Sequence, residues 1–287
     1  MAIKYTGSDT YPLCELHILK TNCYTCLMIK AIILDVDGVI VGEKVGFNAP
    51  NPNREVLDRL KKIRERGIFI SLCTAKPHYS VERIVDVAKL NNLHITNGGG
   101  VIIDPISNVI LKKHLIDNKK AGEVIQHYLD NSAYTEFYTA DEYFIQKNQA
   151  SEITKTHELI LQRKPHIVNS LVEEANKQEI VKIMPISEDE HDKNRLNKLF
   201  EPYKDYLTIS WGIHPVALPH QFGIITAKGI SKQQAAQEIA ESERVYGSEI
   251  LGIGDSTSDW QFIESCRYAG SVKNASSELK NLIKTKG

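Results

Sequence analysis

Two carboxylates at the end of an apolar run are the first residues that could do chemistry. Asp35 and Asp37 close the β-branched run at residues 30–36, and Gly38 then permits a sharp turn. Side chains alternate along an extended chain, so the two carboxylates point the same way. Such a pair can supply a nucleophile and a general acid or base. Taken alone, the segment is also compatible with an acidic turn.

A second acidic segment lies near the end of the chain. Asp255 and Asp259 straddle the end of the apolar run at 250–253 and the start of a predicted helix. Asp259 could simply support the N-terminus of that helix. Asp255 follows a run too apolar for a surface turn, so its charge needs a partner such as a metal ion. Carboxylate oxygens, with water and a substrate phosphate, are the ligands that Mg²⁺ prefers.

Two further segments could contact a phosphate. Thr74 and Ala75 follow the apolar run at 68–73, and the hydroxyl of Thr74 can donate a hydrogen bond to a phosphoryl oxygen. Lys228 stands at the start of a predicted helix, where its charge opposes the helix dipole, so an anion is expected nearby. A solvated surface lysine is the alternative interpretation of Lys228.

The elements that must position these residues alternate between strand and helix. The runs at 30–36 and 68–73 are continuously apolar, which is typical of parallel strands buried on both faces. Helical spacing of apolar residues begins at Asn53 and at Ser80, and the alternation returns between about 229 and 272. This pattern predicts an α/β fold with a doubly wound parallel sheet, whose strand ends carry the candidate residues.

The middle of the chain has a different pattern, that of a separate α+β unit. It combines a predicted helix at 119–129, strands at 135–139, 143–146 and 179–184, and helical segments at 151–162 and 167–177. We therefore expect an extension at 1–27, a core formed by 28–112 and 211–287, and an inserted cap at 113–210. Met28 is where a compact core would start.

Composition favours a protein of the cytoplasm with a small ligand. The 35 Lys and Arg nearly cancel the 36 Asp and Glu, which gives no electrostatic argument for nucleic acid or membrane binding. There is no apolar run of the ~18 residues that a membrane helix needs. Five cysteines are too few and too unevenly spread for a disulfide framework. Composition leaves the oligomeric state open.

Cys14, His17, Cys23 and Cys26 have the chemistry of zinc ligands. The gap between the two pairs is shorter than the usual loop of such sites, so a leader without a catalytic role is the favoured interpretation.

Together, the four chemical segments resemble, in this order, the haloacid dehalogenase superfamily of phosphatases. The resemblance covers Met28 to about Asn97 and about Pro219 to Ala275, and it includes the element Asn97-Gly98-Gly99. It implies a Rossmann-like core. The insertion resembles the α+β cap of the Cof-type branch, known as type IIB, which is rich in sugar-phosphate phosphatases.

The resemblance implies a role for each candidate residue. Asp35 would attack phosphorus, and Asp37 would protonate the leaving alkoxide and then activate water. Asp35, the backbone carbonyl of Asp37, and Asp255 would hold Mg²⁺. The implied phosphate-binding residues are Thr74, Ala75 and Lys228, and the implied supporting residues are Asp259, Gly38 and Asn97. Ser258 departs from the pattern, because asparagine is usual there.

The function expected from this resemblance is Mg²⁺-dependent hydrolysis of small phosphomonoesters through an aspartyl-phosphate. The substrate would be a phosphorylated sugar or a short organic acid phosphate, and Lys182, His214 and His220 are candidate specificity residues. A phosphomutase stays open as the alternative. A non-catalytic module phosphorylated on an aspartate is disfavoured by Asp37, Lys228 and the size of the cap.

Overall fold

The computed structural model describes residues 29–286. The predicted extension, with Cys14, His17, Cys23 and Cys26, lies outside these residues. The strands are β1 (Ala31–Leu34), β2 (Phe69–Leu72), β3 (His94–Thr96), β4 (Val101–Asp104), β5 (Val109–Lys113), β6 (Tyr134–Tyr138), β7 (Tyr143–Gln146), β8 (His166–Val168), β9 (Lys182–Ser187), β10 (Leu207–Ile213), β11 (Gln221–Ala227), β12 (Ile250–Gly254) and β13 (Tyr268–Ser271). The α-helices are α1 (Arg54–Arg64), α2 (Glu82–Ala88), α3 (Asn118–Asp130), α4 (Glu152–Leu161), α5 (Leu171–Ala175), α6 (Glu190–Phe200), α7 (Lys232–Ser242), α8 (Trp260–Ile263) and α9 (Ser277–Thr285).

A parallel sheet forms the core, in the order β13-β12-β1-β2. Leu34 at the end of β1 pairs with Leu72 of β2 and with Ile253 of β12, so these three strands end at one edge. The parallel bridge between Cys73 and Ile95 places β3 beside β2. The prediction of an α/β fold is confirmed, and its carboxyl edge gathers the candidate residues.

Local sequence explains how the helices of the core form. The side chain of Asn53 accepts a hydrogen bond from the backbone of Val56 and caps α1, whose Leu57 and Leu60 are buried against the sheet. Burial of two leucine side chains stabilises this layer by roughly 3–6 kcal/mol before conformational entropy is counted. α1 therefore holds β1 and β2 in place beneath the site.

A second sheet forms the cap, in the order β10-β11-β9-β6-β7-β8. Its apolar face packs against α3, α5 and α6 around buried residues such as Tyr128, Phe137 and Ile183. No helix between residues 29 and 286 has both the length and the apolar character needed to cross a bilayer.

Two details of the cap differ from the prediction. Residues 211–287 were assigned to the core, but β11 within that range pairs with β9 and β10, which satisfy its backbone in the cap sheet. The cap sheet therefore extends to Ala227 rather than ending near residue 210. The helix expected at 167–177 is the short strand β8 followed by α5, because Ser170 caps a helix that begins only at Leu171.

Candidate active site

Asp35 lies at the centre of a buried group of charges. Its backbone amide donates to the carbonyl of Ile253, which fixes the residue between β1 and β12. Lys232 Nζ lies 2.5 Å from Asp35 Oδ1 and 2.8 Å from Asp259 Oδ1. Burial and the neighbouring Asp259 raise the pKa of the Asp35 carboxyl, while Lys232 opposes the rise. An anionic Asp35 therefore depends on nearby positive charge.

Lys232, and not the predicted Lys228, is the lysine of this group. Lys228 lies at the surface, where its ammonium donates to the backbone carbonyl of Lys204. The reason is the helix boundary: Gly229 has φ +78° in the turn after β11, and α7 begins only at Lys232. Ser231 caps that helix, since its side chain accepts from the amide of Gln234. A serine N-cap before Lys232 was the signal in the sequence.

Asp259 braces the loop after β12. Its Oδ2 accepts hydrogen bonds from the backbone amides of Asp255 and Ser256, at 3.1 and 3.2 Å, and from the hydroxyl of Ser256 at 3.2 Å. Its other oxygen contacts Lys232. Because both of its oxygens are occupied, Asp259 is a supporting residue in this geometry.

Asp35 and Asp255 have the geometry of a cation site. Oxygen atoms of Asp35, Asp255 and Asp259 lie within 4.8 Å of one another. Burial, and then Asp259, raise the pKa of Asp255 to about 7. Gly38 permits the close approach, because a Cβ there would lie 1.9 Å from Asp255 Oδ2. Three carboxylates lie close together here and share one lysine. Their oxygen atoms fit a hard divalent cation such as Mg²⁺.

Asp37 is held by two basic side chains. Lys76 Nζ lies 2.8 Å and His214 Nε2 lies 3.2 Å from Asp37 Oδ1. Burial opposes ionisation of Asp37, but Lys76 and His214 prevail and lower the pKa of its carboxyl well below its ordinary value. His214 was expected to contribute to specificity, and it lies against this carboxylate. Lys76 was missed, although it directly follows Thr74 and Ala75 at a strand end.

The loop after β2 faces the same site. Thr74 Oγ1 accepts from the backbone amide of Lys76, and the carbonyl of Thr74 accepts from Gly98. Asn97 has φ +52° and donates its backbone amide to the carbonyl of Lys76. Its side-chain amide is buried and has no hydrogen-bond partner in the described part of the chain. Asn97 and Gly98 therefore support this loop from behind.

A pocket joins the site to the cap. It contains about 390 Å³ of empty space, part of it open to solvent. Lys182 lines it from β9 and donates a 2.8 Å hydrogen bond to the carbonyl of Ala75. His220 does not line it, since its ring nitrogen contacts the carbonyl of Ser187. The lining residues are Asp37, Ala75, Lys76, His157, Ile160, Leu161, Lys182, Met184, Gly212, Ile213, His214, Phe222 and Ile224.

Comparison with known proteins identifies the family of the chain. The family model described as haloacid dehalogenase-like hydrolase matches residues 32–285. The chain belongs to the haloacid dehalogenase-like hydrolase family. Phosphatase YwpJ of Bacillus subtilis is 22% identical to this chain over 270 residues, which cover 88% of this chain and 92% of YwpJ.

Two further similarities agree with this membership. The 5-amino-6-(5-phospho-D-ribitylamino)uracil phosphatase YwtE of Bacillus subtilis is 24% identical over 276 residues, covering 88% of this chain and 90% of YwtE. A solved sugar phosphatase of haloacid dehalogenase subclass IIB superposes with a TM-score of 0.71 at 19% identity, covering 88% of this chain and 90% of that one. The predictions of this superfamily and of a phosphoric monoester hydrolase are confirmed.

Proposed function

We propose that this protein is a Mg²⁺-dependent phosphatase that hydrolyses small phosphomonoesters through an aspartyl-phosphate on Asp35. The observation that carries the proposal is the position of Asp35 at 2.5 Å from the partly buried Lys232, with Asp255 alongside and Asp37 two residues away. One edge of the parallel sheet therefore carries a nucleophile, a lysine that can bind phosphate, a cation site and a second carboxylate.

In the first half-reaction, an Asp35 oxygen forms a bond to phosphorus while the bond from phosphorus to the substrate oxygen breaks. Lys232 and the hydroxyl of Thr74 bind the transferring oxygens. Asp37 donates its proton to the leaving oxygen. The incoming phosphate adds negative charge beside Asp37 and competes for Lys76, which raises the pKa of Asp37 toward the protonated form that this step needs.

In the second half-reaction, Asp37 acts as the base. It removes a proton from a water molecule, the water oxygen bonds to phosphorus, and the bond from phosphorus to Asp35 breaks. Lys76 and His214 suit this step, since they favour the ionised form of Asp37. One carboxylate thus serves both half-reactions, and the products are the alcohol and inorganic phosphate.

Mg²⁺ would be held by Asp35, Asp255 and the backbone carbonyl of Asp37. When bound, the cation would reduce the charge repulsion between Asp35 and an anionic phosphate. Asp259 would keep the loop of Asp255 in place. Lys232 would remain paired with Asp259 when its contact with Asp35 is lost to the substrate.

The substrate class that we propose is a small phosphorylated metabolite, either a phosphorylated sugar or a short organic acid phosphate. YwtE acts on a phosphorylated ribitylaminouracil, and the superposed subclass IIB structure is a sugar phosphatase. The pocket between Asp37 and the cap supports a substrate of limited size, because residues of the core and of the cap line it together.

The test is release of inorganic phosphate from a panel of phosphomonoesters with Mg²⁺ and with EDTA. We expect turnover only with Mg²⁺, and a loss of about 10³-fold or more in Asp35→Asn, because an amide lacks the nucleophilic oxygen. Asp58→Asn, in an exposed helical ion pair, is the matched control and should keep full activity. Wild-type rates in Asp35→Asn, or an isomerised sugar phosphate without free phosphate, would contradict the proposal.

A further inference from the structure

The cap wall of the pocket contains one buried ammonium. Lys182 is 1% exposed, and its Nζ lies 2.8 Å from the carbonyl oxygen of Ala75 and 3.6 Å from the centre of the Tyr138 ring. The carbonyl belongs to the residue after Thr74, so the ammonium lies where the cap meets the loop after β2. Lys182 is therefore placed to contact the part of a substrate that lies between this loop and the cap.

The other basic side chains of the pocket already have acidic partners. Lys76 and His214 approach the carboxylate of Asp37. His157 Nδ1 lies 2.9 Å from Glu136 Oε2. Among residues 29–286, no carboxylate lies within ion-pair distance of Lys182. Lys182 is thus the basic group of this pocket that has no acidic partner, in the described part of the chain, to give up when an anion binds.

Glu136 cannot be that anion without losing its own partners. Its carboxylate is fully buried and accepts hydrogen bonds from the hydroxyls of Tyr134 and Tyr138, at 3.2 and 2.5 Å, as well as pairing with His157. Burial lowers the pKa of Lys182 to about 7, with Glu136 opposing only in part. A buried ammonium in this setting is stabilised when a carboxylate binds beside it.

The remaining wall of the pocket is apolar. Ile160, Leu161, Met184, Phe222 and Ile224 supply much of its cap side. Such side chains offer no hydrogen-bond partners to the several hydroxyl groups of a sugar, and burying unpaired hydroxyls is costly. A short carbon chain with a single charged end satisfies both the apolar wall and the ammonium.

We propose that the leaving group of the substrate carries a carboxylate on a short carbon chain, and that Lys182 binds this carboxylate. This inference rests on the proposed phosphatase function and selects the short organic acid phosphate from the two substrate classes named above. Asp37 then contacts the ester oxygen at one end of the leaving group, and Lys182 contacts the carboxylate at the other.

The experiment compares 3-phosphoglycerate with glycerol 3-phosphate, which share a three-carbon skeleton and differ by a carboxylate in place of a hydroxymethyl group. The wild-type protein should have a kcat/KM roughly 10- to 100-fold higher for 3-phosphoglycerate, the size expected of one charge-assisted contact. Lys182→Met should lose this preference, mainly through a higher KM for 3-phosphoglycerate, so that the ratio of the two kcat/KM values falls toward one. Lys155→Met, at an exposed lysine of the cap, should retain the preference.

The role of Lys182 would be overturned if the wild-type protein had the same kcat/KM for glycerol 3-phosphate or glucose 6-phosphate as for 3-phosphoglycerate and 2-phosphoglycolate. The phosphatase function would still stand in that case. This comparison needs no variant, so it decides even if Lys182→Met fails to fold. Retention of the full preference in folded Lys182→Met would overturn it as well. Absence of phosphate release from every ester, p-nitrophenyl phosphate included, would overturn the phosphatase function itself.

Discussion

Lys232 Nζ lies 2.5 Å from Asp35 Oδ1, although 197 positions separate the two residues in the chain. The same ammonium contacts Asp259, and Asp255 lies close by. Three buried or half-buried carboxylates thus surround one lysine. Removing one partner of a buried ion pair leaves an uncompensated charge, which typically costs about 3–5 kcal/mol. Both the stability and the activity of the protein are expected to depend on this lysine.

Lys232→Met should therefore lower kcat by roughly 10²–10³-fold, as loss of one charge-stabilising group usually does. It should also lower the melting temperature. Lys228→Met is the matched control, because among residues 29–286 that exposed lysine contacts a backbone carbonyl and no carboxylate, and it should stay within about twofold of wild type. Phosphate release and thermal melts of the two variants check this pair. A severe defect in Lys228→Met with a normal Lys232→Met would restore the assignment made from sequence.

Mg²⁺ should stabilise the protein, because a cation bound between Asp35 and Asp255 relieves their repulsion. At 100 times its dissociation constant, the ion should add about 2.7 kcal/mol to the free energy of unfolding. Burial raises the pKa of Asp255 to about 7, and metal binding requires the ionised carboxylate. Mg²⁺ affinity should therefore fall as the pH drops below about 7. Calorimetric titrations at pH 6 and 8 measure this, and equal affinities would contradict it.

Gly38→Ala should inactivate the protein by displacing Asp255. A Cβ at Gly38 would lie 1.9 Å from Asp255 Oδ2, and φ there is +81°. Gly67 is the matched control, because its φ is +82° but a Cβ there would contact nothing within 4 Å. Both variants strain the backbone by roughly 1 kcal/mol, and only Gly38→Ala should also lose Mg²⁺ binding. Comparable phosphatase rates in the two variants would exclude the steric explanation.

Lys182 should make stability depend on pH. Burial lowers its pKa to about 7, whereas a lysine in the unfolded chain has a pKa of about 10.4. Between these values the unfolded chain binds the extra proton, so the free energy of unfolding contributed by Lys182 rises with pH. Urea titrations at pH 7 and pH 9 measure the free energy of unfolding of Lys182→Met minus that of wild type. This difference should be smaller at pH 9 than at pH 7, because only the wild type gains stability from Lys182 as the pH rises. An unchanged difference would refute a depressed pKa.

The sequence was sufficient to predict the parallel sheet and the two acidic segments, because continuous apolar runs end directly before Asp35 and Asp255. The position of the lysine depended on where α7 begins. Because α7 begins at Lys232 and not near Gly229, the lysine at the start of the helix is Lys232, and Lys228 lies in the turn before it.

The contacts of Asp37 could not be predicted from local pattern. His214 follows β10 in the cap, and Lys76 lies in the loop after β2 in the core, so their meeting at one carboxylate is a product of the tertiary fold. The limit of the cap was equally non-local. The sequence of β11 does not show which sheet it joins. Its pairing with β9 and β10 in the structure assigns it to the cap sheet.

The hydrogen bond from Lys182 to the carbonyl of Ala75 joins the cap to the loop that faces the phosphate. Separation of the cap from the core would break this bond and carry the ammonium away from the reacting centre. A substrate carboxylate bound to Lys182 would gain its full interaction only when the two parts are together. Selectivity would then arise as a shift in the population of closed molecules, and a phosphate ester without the carboxylate would shift that equilibrium less.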